Sequence, residues 1–197
     1  MTHDPFTPAD FLLPTPEVAR RLIGATLLRA TPDGWVRCRI LETEAYLATG
    51  DPASHAHRGQ TPRNAPMFGP PGTSYVYFTY GSCHCLNVVT QAAGIGEAVL
   101  IRALEVVQGL EWLQANRPVT DLRHLLNGPG KLCQALALDR AHNGLDLLGG
   151  DVLRLEPGAP PPVIAVGRRV GITKAIEFPL RFAWADHRGV SGPRIQA

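Results

Sequence analysis

The run Val36-Arg37-Cys38-Arg39-Ile40-Leu41-Glu42-Thr43-Glu44-Ala45-Tyr46 reads as one long strand, and no other segment constrains the chain as much. Apolar and charged residues alternate at its start, the period of a sheet rather than a helix. Pro32-Asp33-Gly34 is a turn tripeptide separating it from residues 26–30, so the two stretches make a hairpin. Side chains on a strand alternate between faces, so Glu42, Glu44 and Tyr46 share one face. Cys38 and Ile40 are expected to continue that face towards the core.

The rest of the chain supplies what a sheet of this kind packs against. Thr15-Pro16-Glu17 begins a helix: threonine can cap, proline suits the first helical position and glutamate favours the positive end. That helix should stop near Gly24. Residues 75–79 and 83–90 form a second hairpin around Tyr80-Gly81-Ser82. Residues 99–104, 152–155, 163–170 and 180–183 read as further strands, and 109–116 and 131–137 as helices. Residues 48–74 lack periodicity, and a loop that long in a compact domain is usually functional. At 197 residues, with no repeat or domain linker, the expectation is a single α+β domain over 1–197.

Composition narrows the function classes. A hydrophobic fraction of 45% and a charged fraction of 18% describe a folded chain, and a formal charge of +2 permits a local nucleic-acid patch without demanding one. Four cysteines are too few for a disulfide framework in a chain this long. The first six residues lack the basic and apolar regions of a signal peptide, and no stretch reaches the roughly 20 apolar residues of a membrane span. A cytoplasmic protein with reduced thiols, unattached to membrane, is the expectation.

The chemistry concentrates between Glu42 and Tyr80, which holds two glutamates and all four tyrosines. Glu44 is either a general base tuned by its surroundings or a carboxylate on a solvated strand face. Glu42 is either a second catalytic acid or, the better reading, the partner of an arginine. Tyr75 and Tyr77 share a face and by default are core residues. Tyr80 sits at a hairpin tip, where it either folds back or serves as a wedge between bases. His55 and His57 with Asp51, and Cys83-His84-Cys85, do not match common zinc spacing, so no metal or cofactor is expected. Arg63, Arg102 and Lys131 are candidate phosphate ligands. Lys131 follows Gly128-Pro129-Gly130 at an expected helix start but lacks the Walker pattern.

Several ordered segments carry a family resemblance. Glu42-Thr43-Glu44-Ala45-Tyr46, Thr61-Pro62-Arg63-Asn64, Met67-Phe68, Pro71-Gly72-Thr73, Tyr75-Val76-Tyr77 and Tyr80-Gly81 resemble the alkyladenine (3-methyladenine) DNA glycosylase family. So do Arg102-Ala103-Leu104-Glu105 and the segment from Gly128 to Leu136. The resemblance implies a curved, mainly antiparallel sheet with flanking helices and a protruding hairpin. It implies hydrolysis of the N-glycosidic bond of alkylated or deaminated purines (3-methyladenine, 7-methylguanine, hypoxanthine) in double-stranded DNA, by a monomer without cofactor.

Carried over residue by residue, Glu44 becomes the base that activates water, and Arg102 the arginine near the scissile bond. Tyr46, His55, Tyr77 and Asn87 become the base pocket. Tyr80 becomes the wedge that fills the gap left by the flipped nucleotide, with Gly81, Ser82, Arg63 and Lys131 as further DNA contacts. The loop around His55-Ala56-His57 is shortened relative to the family pattern, and Ser82 and Cys83 stand where bulkier residues often follow the wedge. No lysine is expected beside the constellation, which disfavours a Schiff-base lyase step. The alternatives are a nucleic-acid module that stacks bases without cleaving them, and a nucleoside hydrolase with no use for an exposed Tyr80.

Overall fold

The computed structural model describes residues 4–79, 81–193 and 195. Its frame is a curled antiparallel sheet of eight strands. The first expected hairpin is β1 (Thr26–Thr31) and β2 (Gly34–Tyr46). The second is β3 (Ser74–Thr79) and β4 (Cys83–Thr90), paired through Thr79 and Cys83 across the turn. With β5 (Glu97–Gln108) and β6 (Leu153–Glu156), the strands follow the order β3-β4-β5-β2-β1-β6. β7 (Ile164–Gly167) pairs with β8 (Arg181–Trp184), and β8 also joins β2. The strand expected over 163–170 is therefore short, and its second half belongs to a loop.

Among the described residues three α-helices cover one face: α1 (Thr15–Arg21), α2 (Leu110–Asn116) and α3 (Pro129–Ala135). Val18, Leu113 and Leu132 from these helices share one buried cluster with Leu27, Ile40, Val76, Leu86, Val99 and Ile101 from the strands. The opposite face of β3, β4 and β5 is closed by the 48–73 loop, where Ala56 and Met67 pack against Tyr75, Val89 and Ala98. Among the described residues no helix is long and apolar enough to cross a membrane.

One expectation about α1 and one about α3 need correction. Pro14, not Thr15, occupies the cap position, and Thr15 is the first helical residue. Its hydroxyl is buried and bonded to Thr90 Oγ1 at 2.7 Å and Glu97 Oε2 at 2.6 Å, tying the helix start to the sheet. Burial made this threonine a tertiary tie instead of a cap. The helix does stop before Gly24, whose φ is +91° and whose Cβ, if present, would lie 2.4 Å from the Ala159 carbonyl oxygen. Only glycine fits there. Likewise α3 begins at Pro129, so Lys131 lies inside its first turn instead of opening it.

The main correction concerns β2. Across β2 and β5, Ile40 faces Leu104, Glu42 faces Ala103 and Thr43 faces Ile101, which leaves Leu41 and Arg102 without register partners. An extra residue in a ladder reverses the alternation beyond it. Val36, Cys38 and Ile40 thus point into the helix-covered core, whereas past the irregularity Ala45 does so and Thr43 donates to the Ala19 carbonyl of α1. Glu42, Glu44 and Tyr46 do share a face, but it is not the face of Cys38 and Ile40. β2 also changes partners here: residues 34–39 pair with β1, and 42–44 with β8.

Candidate active site

The reversed alternation sets Glu42, Glu44 and Arg102 side by side on the face away from the helices. All three are buried. Arg102 Nε lies 3.3 Å from Glu42 Oε1, and Arg102 Nη1 lies 3.3 Å from Glu44 Oε2. Glu42 also accepts from Arg181 Nε and, at 2.6 Å, from the Ser191 N–H. Two carboxylates and two guanidinium groups thus neutralise one another in the interior, which such burial requires. Glu42 is the arginine partner that its sequence position suggested.

Glu44 has further partners. Its Oε1 accepts from the Val170 N–H at 2.7 Å, and its Oε2 from the Tyr46 hydroxyl at 2.9 Å. A carboxylate offers about four acceptor sites, so roughly one is left for a water proton. Burial pushes the Glu44 carboxyl above its ordinary range. Arg102, the Val170 N–H and Tyr46 pull it back in part, and neighbouring Glu42 adds to the rise. Arg102 moves up as well: burial acts against its charge, but the carboxylates of Glu44 and Glu42 outweigh it. A carboxylate made more basic by burial is suited to taking a proton.

Above this group opens a cavity of about 570 Å³, walled by Tyr46, His55, Tyr77, Asn87, Arg102 and Val170 among others. Glu44 itself is under the floor: the three groups bonded to it line the cavity, and it does not. His55 is held by its neighbours. Its Nδ1 is 2.9 Å from the Tyr75 hydroxyl, its ring stands edge-on to Tyr77 at 4.5 Å, and its carbonyl accepts from Asn64 Nδ2 at 2.8 Å. Partial burial, and then the charge of Arg63, lower its pKa, so the ring is neutral near pH 7. Asn64 also binds the Gly59 carbonyl at 3.1 Å, so the Thr61-Pro62-Arg63-Asn64 run is a loop clamp. Tyr75 is buried and supports His55. Asn87 is buried and donates to the Tyr75 carbonyl at 3.0 Å. His57 is exposed and lines only a neighbouring cleft.

The proposed DNA contacts lie outside this pocket. Arg63 is exposed and donates to the Phe78 carbonyl at 3.0 Å; Lys131 donates to Asn127 Oδ1 at 2.7 Å. Gly81, at φ +66°, and Ser82 are exposed in the β3–β4 turn. Tyr80 lies outside the described residues.

Sequence reasoning missed Arg169 and Lys174, and weighed Asp51 only as a metal ligand beside His55 and His57. Arg169 and Asp51, both fully buried, form a two-pronged ion pair at 2.6 and 2.7 Å. Arg169 also donates to the Ala45 carbonyl at 3.0 Å and stands 4.6 Å from the centre of the Tyr46 ring. It thereby seats both the Tyr46 wall and the segment that presents Val170. Lys174, exposed on the same segment, lines the cavity, so the expectation of no lysine beside the constellation is wrong. Arg168-Arg169-Val170-Gly171 carries no local signal for any of this, because Glu44, Ala45 and Asp51, to which it bonds, are more than a hundred residues away.

The raised Glu44 carboxyl has a testable consequence. If ionised Glu44 is required, activity falls with acidification through a pKa above the ordinary glutamate value near 4.3. Glu42→Gln removes a negative neighbour that raises that pKa, so the acid limb of the kcat/KM–pH profile is expected to move to lower pH. A limb that stays in place would detach Glu44 from the pH dependence.

Comparison with known proteins gives the family. The family model described as methylpurine-DNA glycosylase (MPG) matches residues 9–188. A relative from Chlorobaculum tepidum is 49% identical over 174 residues, covering 86% of this chain and 83% of its own. One from Rhodopseudomonas palustris strain HaA2 is 50% identical over 177 residues, 90% of this chain and 85% of its own. One from Methanocella arvoryzae is 46% identical over 179 residues, 90% of each chain. Each bears the name "Putative 3-methyladenine DNA glycosylase". With nearly the whole chain matched, and with a buried carboxylate under an aromatic-walled cavity, the protein belongs to the methylpurine-DNA glycosylase family and is an enzyme of the DNA N-glycosylase class.

Proposed function

We propose that the chain turns alkylated or deaminated purine nucleotides out of duplex DNA and hydrolyses their N-glycosidic bond with a water activated by Glu44. The observation that carries this is the placement of Glu44: buried, with about one acceptor site open, directly beneath a cavity walled by Tyr46, His55 and Tyr77. A base inside a duplex cannot reach such a floor, so it must be extruded at a cost of a few kcal/mol. Stacking against aromatic rings, about 1–3 kcal/mol per base, offsets that cost. A ring-methylated purine carries positive charge, which both improves the leaving group and suits aromatic faces. As the bond breaks, the sugar gains oxocarbenium character; the Glu44 carboxylate stabilises it and takes the proton of the attacking water, and a neutral deaminated base takes a proton from the protein or water as it leaves.

Tyr80 is the proposed wedge in the vacated stack. Tyr80→Ala is expected to shift a fluorescent reporter of base extrusion towards the stacked state, and an unchanged signal counts against that role. The proposed enzyme is a monofunctional monomer acting on chromosomal DNA in the cytoplasm. Lys174 has the role of a cation here, so reduction with borohydride during turnover is expected to give no covalent protein–DNA adduct. An adduct lost on Lys174→Ala would instead assign a lyase step. The overall reading is tested by offering methylated and hypoxanthine-containing duplexes beside the free nucleosides. Release of base from duplex only supports it; binding without release favours a stacking module, and release from nucleosides alone favours a nucleoside hydrolase.

A further inference from the structure

After β8 the chain turns back as a strap that returns to the acid pair. His187 latches its outer end: Nε2 lies 3.3 Å from Glu105 Oε1, the ring stands 5.7 Å from that of Trp184, and Nδ1 accepts from the Gly189 N–H at 3.1 Å. Gly189 packs on Leu41, the β2 residue without a register partner, so closely that a Cβ there would lie 2.7 Å from Leu41 Cδ1. Gly192 faces Val170, with 3.4 Å between such a Cβ and Val170 Cγ2. The strap thus touches the irregularity that turns the acids and the residue that donates to Glu44.

Between these two contacts lies Ser191, buried, with all its polar groups directed at charges. Its N–H donates to Glu42 Oε2 at 2.6 Å, its carbonyl accepts from Arg181 Nη2, and its hydroxyl oxygen accepts from Arg102 Nε at 3.3 Å. The first two bonds are open to most residues; the third needs a hydroxyl. Arg102 Nε is shared between Ser191 Oγ and Glu42 Oε1, both at 3.3 Å. Its Nη1 lies 3.3 Å from Glu44 Oε2 and 3.4 Å from the Val170 carbonyl. Every one of these contacts is long, so no single acceptor fixes the guanidinium. The group is planar and rigid, so whatever holds Nε also sets where Nη1 points. Without the hydroxyl, Glu42 Oε1 is the remaining acceptor at Nε among the described residues, and the guanidinium is drawn towards Glu42 and away from Glu44.

We infer that Ser191 is a positioning residue for the reaction: its hydroxyl, delivered by the strap, holds the Arg102 guanidinium against Glu44. The inference deepens the glycosylase reading and rests on it for the reaction served, but the geometry at Glu44 can be read without turnover. The groups facing Glu44 are Arg102 from β5, Glu42 and Tyr46 from β2, Cys85 from β4 and the Val170 N–H. Of these Arg102 draws the carboxyl down and Glu42 pushes it up, so a retreat of Arg102 raises the Glu44 titration midpoint.

The test follows the Glu44 carboxyl carbon by ¹³C NMR against pH in the full chain, its signal assigned by loss in Glu44→Gln. Ser191→Ala is expected to move the midpoint to higher pH, the opposite sense to Glu42→Gln. It should also lower kcat for base release about tenfold with KM within about twofold. Ser191→Thr keeps the hydroxyl and should keep the wild-type midpoint. His187→Ala loosens the strap from its outer end and leaves the hydroxyl in place, so it should shift the midpoint the same way by less. It also keeps the inference testable should Ser191→Ala fold poorly. A wild-type midpoint in Ser191→Ala, or in His187→Ala where that variant alone folds, overturns the inference. So does Ser191→Thr titrating like Ser191→Ala. A lowered unfolding temperature with an unmoved midpoint would make Ser191 a fold residue only, which also overturns it. Base release by the wild-type protein is scored beside the titration: its absence would sink the glycosylase reading, while the midpoints still decide the role of Ser191.

Discussion

Glu44→Gln is expected to reduce excision of methylated purines by about 10²- to 10⁴-fold while leaving binding to lesion-containing duplex within about threefold of wild type. Glutamine fills the same space under the cavity floor and can still accept from the Val170 N–H or the Tyr46 hydroxyl. It cannot take a proton from water or balance a positive sugar. Arg102 keeps Glu42 as a partner, so the substitution does not strand its charge. The measurement is single-turnover release of base at enzyme excess, with duplex affinity by anisotropy. Full activity in a folded Glu44→Gln protein would remove Glu44 from the role of base. Equal loss of activity and of DNA affinity would mark it as structural.

Arg169→Ala is expected to destabilise the fold by about 3–5 kcal/mol, because it leaves Asp51 buried without its cation. At roughly 2–4 °C per kcal/mol for a chain of this size, the unfolding midpoint should fall by about 6–20 °C. Asp51→Ala should cost about as much, and replacing both partners with apolar residues should recover much of the loss. The pair also has a pH signature. Burial alone would raise the Asp51 carboxyl, but Arg169 and the Leu47 and Ala53 N–H groups outweigh it, and its pKa lies below the usual value. Its stabilisation is therefore fully present above the unfolded aspartate pKa near 3.9 and is lost as pH falls through the lower folded value. Excision below the lowered midpoint should still suffer in Arg169→Ala, because Arg169 seats Tyr46 and the residue that donates to Glu44. A midpoint change under roughly 2 °C would show the pair to be dispensable.

The two substitutions probe residues of very different visibility. Glu44 was conspicuous in the sequence because it sits two residues from Tyr46 in a strand, so their common face follows from chain geometry alone. Arg169 was not, since nothing near it hints at a buried aspartate far along the chain. Lys174 was passed over for the same reason, and its appearance in the cavity wall reverses the premise against a neighbouring lysine while leaving monofunctional chemistry as the proposal to test. His55 and His57 were close to indistinguishable by counting. The structure sets His55 against Tyr75 and Tyr77 and leaves His57 in the cleft outside.

By itself the sequence determined the elements whose cause is local. Turn residues placed both hairpins, alternation made β2 a strand, and the conjunction of Glu42, Glu44 and Tyr46 on one face followed from its period. It also determined, through long ordered motifs, the family. Which way that face points was decided only in three dimensions. Local alternation would carry the acids into the same core as Cys38 and Ile40. Pairing with β5 instead leaves Leu41 and Arg102 out of register, turns the acids away from the helices and brings Arg102, Arg181 and Val170 to them. A register shift belongs to two strands at once, and the charges it buries find partners only where distant segments meet. That is why Glu44 could be named as a candidate from its neighbours in sequence, while the environment that raises its carboxyl pKa could not.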